Sequence, residues 1–227
     1  MLAKKQKASD NYWYEKSKNF SDQYQKEKTS FWQRFVQNFL DKRFKIISRL
    51  IEGNINSDSV VIDIGCGSGV YIKQAALFNP KEIIGIDYSD QMLETARTEL
   101  AEIRKGKEIR LIRGGADKLD LKDSSGDLIL AIGLFDYLKK PELALAEISR
   151  VLKKDGRAIV CLPKKYSPLG FLRYWPGLLL RKYLLKLPPI LNSWSRKEAS
   201  NFFNQFNLTP VNIYQVQKTM WIFELRK

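Results

Sequence analysis

Val60-Val61-Ile62-Asp63-Ile64-Gly65-Cys66-Gly67-Ser68-Gly69 is the stretch whose reading decides the fold. Four β-branched apolar residues in its first five positions suit a strand covered on both faces. Three glycines at alternate positions then make a turn in which backbone can approach a ligand without Cβ interference. A helical pattern begins at Val70, so the stretch reads as a strand, a glycine turn and a helix, the arrangement of a nucleotide-type ligand site.

Downstream the pattern alternates. Val70 to Phe78 is helical until Asn79-Pro80, and a short strand runs from Glu82 to Ile86 and ends at Asp87. Asp90 is expected to cap a helix through about Arg104, with strands over 108–113 and 127–132, a helix from Glu142 to Leu152 and a strand from Arg157 to Leu162. Regular alternation implies right-handed crossovers, hence a doubly wound α/β fold with a mostly parallel sheet and helices on both faces. Ser195-Arg196-Lys197-Glu198 reads as a capping box opening a last helix to about Phe206. Two strand-like runs follow, Thr209 to Val216 and Met220 to Leu225, close enough to form an antiparallel hairpin at the sheet edge.

Upstream, residues 1–28 are polar and lysine-rich with scattered aromatics, and from Thr29 or Ser30 a helix carries Phe31, Phe35, Phe39, Phe44, Ile47 and Leu50 on one face as far as Gly53. We expect residues 1–54 to form an N-terminal arm and helices capping the site, and 55–227 a single domain. The rhythm breaks over 163–194, which holds five prolines, many leucines, six cations and no acid, and reads as a basic, leucine-rich lid insertion.

Composition narrows the chemistry. At 227 residues and 44% hydrophobic content the chain suits one sizeable domain. Two cysteines give neither a disulfide framework nor a metal cluster, and no metal is expected. The absence of histidine excludes imidazole general-base catalysis and zinc sites built on His. Without an apolar signal or a run of roughly 20 uncharged apolar residues, the expected location is cytoplasmic, with peripheral membrane contact left open. The net charge of +14 is concentrated late: from Gly156 onward twelve Lys or Arg face only Glu198 and Glu224. Such a field attracts nucleic acid, anionic lipid or an acidic small molecule alike.

Gly65, Gly67 and Gly69 give G-x-G-x-G, not the G-x-G-x-x-G of a dinucleotide site. Asp87, eighteen residues past Gly69, ends the second strand, where a parallel α/β sheet places a carboxylate to accept the ribose hydroxyls of an adenosyl ligand. The sequence here resembles the class I S-adenosylmethionine-dependent methyltransferases, through Asp63 to Gly69, Gly85-Ile86-Asp87-Tyr88-Ser89-Asp90-Gln91-Met92 and Leu145 to Gly156 leading into a strand. The resemblance covers roughly 55–162 and the terminal helix and hairpin. It implies a Rossmann-like seven-stranded sheet in which only the last strand is antiparallel, and S-adenosyl-L-methionine as cofactor.

By that resemblance Gly65, Cys66, Gly67 and Gly69 hug the methionine moiety and Asp63 helps hold its amino group. Asp87, with Tyr88 beside it, binds the ribose, and Met92 packs on the adenine. Family members usually carry an acid before the alanine of the third-strand loop; here Gly115 stands there, Ala116 offers its backbone amide, and Asp117 is the candidate replacement. A tyrosine common in the family's N-terminal region is matched by Phe20, which lacks the hydroxyl. Ile132 and Gly133 line the donor, and Asp136 and Tyr137 are the candidate catalytic residues, orienting the acceptor or taking its proton. The other reading of that pair is a helix N-cap beside a packed tyrosine.

The expected function is methyl transfer by direct displacement to a small-molecule or lipid-like acceptor, with peripheral membrane contact through 168–194 as an open possibility. The alternatives are a nucleic-acid methyltransferase, favoured by the basic C-terminal third, and a non-catalytic donor-binding adaptor at a membrane. Neither an Asn-Pro-Pro-Tyr motif nor a Pro-Cys pair for cytosine attack is present.

Overall fold

The structure, a computed structural model, describes residues 31–165, 167 and 191–227. The expectations for the N-terminal arm, for Phe20, and for nearly all of the 163–194 insertion and its membrane contact lie outside the described residues. In chain order the elements are α1 (Phe31–Gly53), β1 (Val60–Ile64), α2 (Val70–Ala76), β2 (Glu82–Asp87), α3 (Asp90–Glu99), β3 (Ile109–Arg113), β4 (Gly126–Ala131), α4 (Pro141–Val151), β5 (Leu152–Pro163), α5 (Arg196–Asn204), β6 (Thr209–Val216) and β7 (Met220–Arg226).

The strands form one seven-stranded sheet in the order β3-β2-β1-β4-β5-β7-β6. Pairings among β1 to β5 are parallel, whereas β7 runs antiparallel to both β5 and β6. The Rossmann-like sheet with an antiparallel last strand is therefore as expected, and the hairpin puts β6 at the edge. Strand order reverses between β1 and β4, and the carboxyl ends of strands at such a switch point frame a ligand crevice.

Period-two alternation builds two cores from the same strands. Val61, Leu128, Leu130, Ile159 and Cys161 face one layer with Ile47 and Ile51 of α1, Ile72 and Ala75 of α2, and Leu93 and Ala96 of α3. Ile62, Ile64, Ile129, Ala131, Val160 and Leu162 face the other with Leu145 and Ile148 of α4 and Phe203 of α5. Because both faces are covered, the central strands read as continuous apolar runs rather than alternating ones.

Boundaries differ from the sequence expectation at several places, among them β5, which begins at Leu152 and not at Arg157. Ser89, not Asp90, caps α3: its backbone is extended and its hydroxyl accepts from Met92 N at 3.3 Å. That helix ends at Glu99 instead of Arg104, because Leu100 turns under the glycine loop, its Cδ1 lying 3.0 Å from where a Cβ on Gly69 would stand. Helix α5 stops at Asn204, and Asn207 follows in a left-handed conformation. The Ser195 capping box is present with both reciprocal bonds.

Candidate functional site

The site is assembled where β1, β2 and β4 end. Gly65, Gly67 and Gly69 have φ of 74°, 53° and 83°, a region costly for any residue with a Cβ. The three do different work. A side chain on Gly65 would press on Leu134 at 3.2 Å and one on Gly69 on Leu100 at 3.0 Å, whereas a Cβ on Gly67 would meet nothing within 4 Å. Gly67 thus leaves a cradle beside exposed backbone. Gly65 N and Cys66 N donate to Ile86 O at 2.7 and 3.0 Å, fastening the loop to the end of β2. Gly85, paired with Asp63 across the ladder, makes room beneath the loop: a Cβ there would fall 2.4 Å from Ile72 Cδ1 and 3.1 Å from Cys66 Sγ.

Asp87 is held rigidly. Its Oδ2 accepts from Gly67 N and its Oδ1 from Ser89 N, both at 2.9 Å, so the carboxylate ties the glycine loop to the α3 cap with lone pairs left over. Burial pushes its pKa up, and the amides of Ser89, Gly67 and Tyr88 partly counter that. Asp63 is 1% exposed, and its Oδ2 is buried with no hydrogen-bond partner. Desolvation first, then the Asp87 charge, pushes its pKa up to about 8. A buried carboxyl oxygen without a donor beside an open cradle is a site made for a cationic or N–H-bearing ligand group. Cys66, buried between these acids, has its thiol pKa pushed up by the same causes and stays a neutral loop residue.

Met92, 5% exposed, is one of the buried residues of α3, in the turn just after the Ser89 cap. Tyr88 is half-buried, and its carbonyl accepts from Arg113 Nε at 3.4 Å. After β3, Gly114 N donates to Asp87 O at 3.0 Å, which brings the following turn to the same rim. There the Asp117 Oδ1 stands 2.5 Å from where a Cβ on Gly115 would be, so a side chain at 115 would require that carboxylate to shift. Ala116, half-buried, lies between them.

Beyond β4, Ile132 packs on the α1 side and Gly133 bends the chain at φ 73°. Asp136 and Tyr137 follow in a turn, with Asp136 5% exposed. Asp136 is no helix cap, since α4 begins at Pro141 with Lys140 before it. The turn is fixed from afar: Leu191 N donates to Asp136 O at 2.8 Å, and Asn192 Nδ2 to Phe135 O and Leu138 O at 3.0 and 2.6 Å. Sequence reasoning missed Asn192, whose partners lie more than 50 residues away, and also Arg43. The signal for Arg43 was present, a cation in the apolar i, i+4 series Phe39, Arg43, Ile47, Ile51.

A family of proteins described as a methyltransferase domain matches residues 62–160, which contain Asp63, the glycine loop, Asp87, Met92, Asp117, Asp136 and Tyr137 but not Arg43, Leu191 or Asn192. Demethylmenaquinone methyltransferase of Lactiplantibacillus plantarum is 37% identical over 112 residues, 48% of this chain and 46% of that protein. The ubiquinone/menaquinone biosynthesis C-methyltransferase of Campylobacter jejuni is 29% identical over 157 residues, 66% of this chain and 64% of that one. These matches span about half to two thirds of the relatives' lengths. Magnesium protoporphyrin IX methyltransferase of Synechocystis, solved with S-adenosylhomocysteine bound, superposes with a TM-score of 0.71 over 98% of this chain and 100% of that one, and at 14% identity the likeness is one of fold.

Proposed function

We infer that this chain is a class I S-adenosylmethionine-dependent methyltransferase that transfers a methyl group to a small-molecule acceptor, and more narrowly to a ring carbon of a quinol-type acceptor. The observation that carries the donor half is the cradle at Gly67 between the held carboxylate of Asp87 and the unpartnered oxygen of Asp63. The acceptor half draws on the two relatives named for quinone substrates.

The residues fit the cofactor. Asp63 faces the donor's amino group, Asp87 its ribose hydroxyls, Met92 the adenine face, and Asp117 with the Ala116 amide the adenine edge. The glycine loop supplies close backbone contact. S-adenosylmethionine, when bound, offers a methyl carbon already activated by a sulfonium, so the chain's task is in-line placement rather than strong acid–base work. That suits a protein without histidine. Asp136 and Tyr137, fixed by the Asn192 clamp, stand on the acceptor side of β4; Asp136 accepts the acceptor's hydroxyl proton and Tyr137 orients the ring.

Among the described residues, three cations of the basic C-terminal third are engaged within the fold. Lys165 pairs with Glu198 at 2.6 Å, Lys164 lies 4.7 Å over the Trp221 ring, and Lys227 donates to Leu152 O at 3.1 Å. Arg196, Lys197, Lys218 and Arg226 are exposed, and the nucleic-acid reading is decided by the test below. No helix among the described residues is long and apolar enough to cross a membrane.

The test is transfer from methyl-deuterated S-adenosylmethionine, read by mass spectrometry. With a reduced, short-chain demethylnaphthoquinol the label is expected on the ring. Transfer to a tRNA or DNA mixture in preference to the quinol, or to neither, contradicts the reading.

A further inference from the structure

Helix α1 turns four of its described cations, Arg34, Lys42, Lys45 and Arg49, to solvent, and one, Arg43, inward. Arg43 is 9% exposed and sits at a position of the apolar stripe where the helix otherwise carries Phe39, Ile47 and Ile51. Its guanidinium lies 5.8 Å over the Phe39 ring. Its Nη1 is 4.0 Å from where a Cβ on Gly133 would stand, so it reaches the end of β4, and the missing side chain of Gly133 is what leaves it room. Burying a guanidinium is costly unless opposite charge faces it, and a leucine would fill the stripe at no such cost.

Asp136, 5% exposed, lies in the turn three residues beyond Gly133. Burial pushes the Cys161 thiol, near the end of β5, up to about 12; Arg43 lowers it somewhat and Asp136 adds to the rise, so the thiol feels both groups. The cation therefore reaches the glycine bend at the carboxyl end of β4 from the α1 face of the sheet, with a buried acid in the turn that follows. The donor loop borders the same bend: Asp63 pairs with Leu130 across the ladder, and a side chain on Gly65 would meet Leu134 at 3.2 Å.

We propose that Arg43 is an acceptor-binding residue that holds the ionised oxygen of a phenolic or enolic acceptor beside Asp136, and so selects acceptors with an acidic hydroxyl next to the carbon that is methylated. The inference rests on the quinol reading above. In the step it serves, the acceptor hydroxyl gives its proton to Asp136 and the oxyanion is held by the guanidinium. The ring-carbon electron pair forms the bond to the methyl carbon as the sulfur–carbon bond breaks, leaving the sulfur as a neutral thioether. The ring carbon then loses its own proton to solvent water, which restores the aromatic oxyanion; Asp136 returns its proton to that oxygen, and no oxidant or reductant is consumed. Arginine suits this place because its planar fork stays charged and pairs with oxygen in two directions.

The test is binding without turnover. 2-Hydroxy-1,4-naphthoquinone, a coloured anion at neutral pH, and neutral 1,4-naphthoquinone are titrated into the full chain saturated with S-adenosylhomocysteine. The parent is expected to bind both, the anion more tightly. Arg43→Leu, which restores the apolar stripe, is expected to weaken the anion by about tenfold to hundredfold, the worth of one charge-assisted hydrogen bond, and to leave the neutral quinone within about twofold. Arg43→Lys is expected to fall between. Equal binding of the anion by parent and Arg43→Leu overturns the inference while leaving the quinol reading intact. So does equal loss of both ligands by Arg43→Leu and Arg43→Lys with unchanged S-adenosylhomocysteine affinity. A parent that binds neither quinone overturns the quinol reading itself.

Discussion

Asp87→Ala is expected to weaken S-adenosylmethionine binding by about hundredfold or more. Two losses combine. The hydrogen bonds from the donor's ribose hydroxyls disappear, each worth roughly 1.5–3 kcal/mol when the acceptor is charged. The Gly67 amide, which donates to Asp87 Oδ2 at 2.9 Å, also loses its acceptor, so the loop that should present backbone to the donor is no longer pinned to β2. Together they amount to about 3–6 kcal/mol before relaxation, and every 1.4 kcal/mol is a factor of ten. Asp87→Asn does not rescue the site. The Gly67 and Ser89 amides approach different carboxylate oxygens, so a carboxamide turns its NH2 toward one of them. Calorimetric titration alongside thermal unfolding separates a lost site from a lost fold. Affinity within about threefold of the parent in a folded Asp87→Ala protein contradicts the assignment.

The second large effect is on pH. Burial and the neighbouring Asp87 charge raise Asp63 from an ordinary value of 3.8 to about 8, so the unliganded fold holds a proton there that the unfolded chain has released. The stability this group contributes is present at low pH and declines as pH rises from about 4 toward 8, because the native state binds more protons across that window. A cationic amino group at Asp63 favours the carboxylate, so binding must expel the proton. Donor affinity is therefore expected to rise with pH by up to about tenfold per unit below pH 8, by roughly twentyfold to fiftyfold between pH 6 and 8, and to fall again above, where the donor's own α-amino group loses its charge. Because Asp87 is coupled to Asp63, the observed midpoint belongs to the pair. Asp63→Asn should flatten the slope and weaken binding at pH 8. Calorimetry in two buffers of different ionisation enthalpy reads the released proton directly; no proton release at pH 7 contradicts the role given to Asp63.

The doubly wound sheet was legible because its signals are local. Val60 to Ile64 and the β4 and β5 runs carry the composition of strands covered on both faces, and the spacing of Gln217 to Thr219 allows only a tight return between β6 and β7. The Ser195 capping box was equally local. What the sequence concealed depends on distant packing. Helical periodicity runs on past Glu99, yet α3 stops because Leu100 is needed beneath Gly69. Asn192 looks like any loop asparagine until its two carbonyl partners, across the 135–138 turn, are brought to it. Asp117 shows its relation to Gly115 only when the turn after β3 folds its carboxylate back. Arg43 was hidden differently: the aromatic stripe was read around it, although a charge on that stripe was itself the clue.

At the donor site the residue types were visible and their arrangement was not. Asp63, Gly67 and Asp87 stand out in the chain, but that Asp87 binds the glycine loop as well as facing the cradle, and that Asp63 keeps a buried oxygen without a partner, follows only from the ladder that places Asp63 opposite Gly85.

The central claim is that the loop at Gly65 to Gly69 serves a methyl donor and not a dinucleotide. Calorimetric titration of the full chain at pH 8 with S-adenosylmethionine and, separately, with NAD tests it most directly. One-to-one saturable binding of S-adenosylmethionine with no heat of binding from NAD is the predicted result. Binding of NAD with equal or greater affinity, or no binding of S-adenosylmethionine by folded protein, would contradict it.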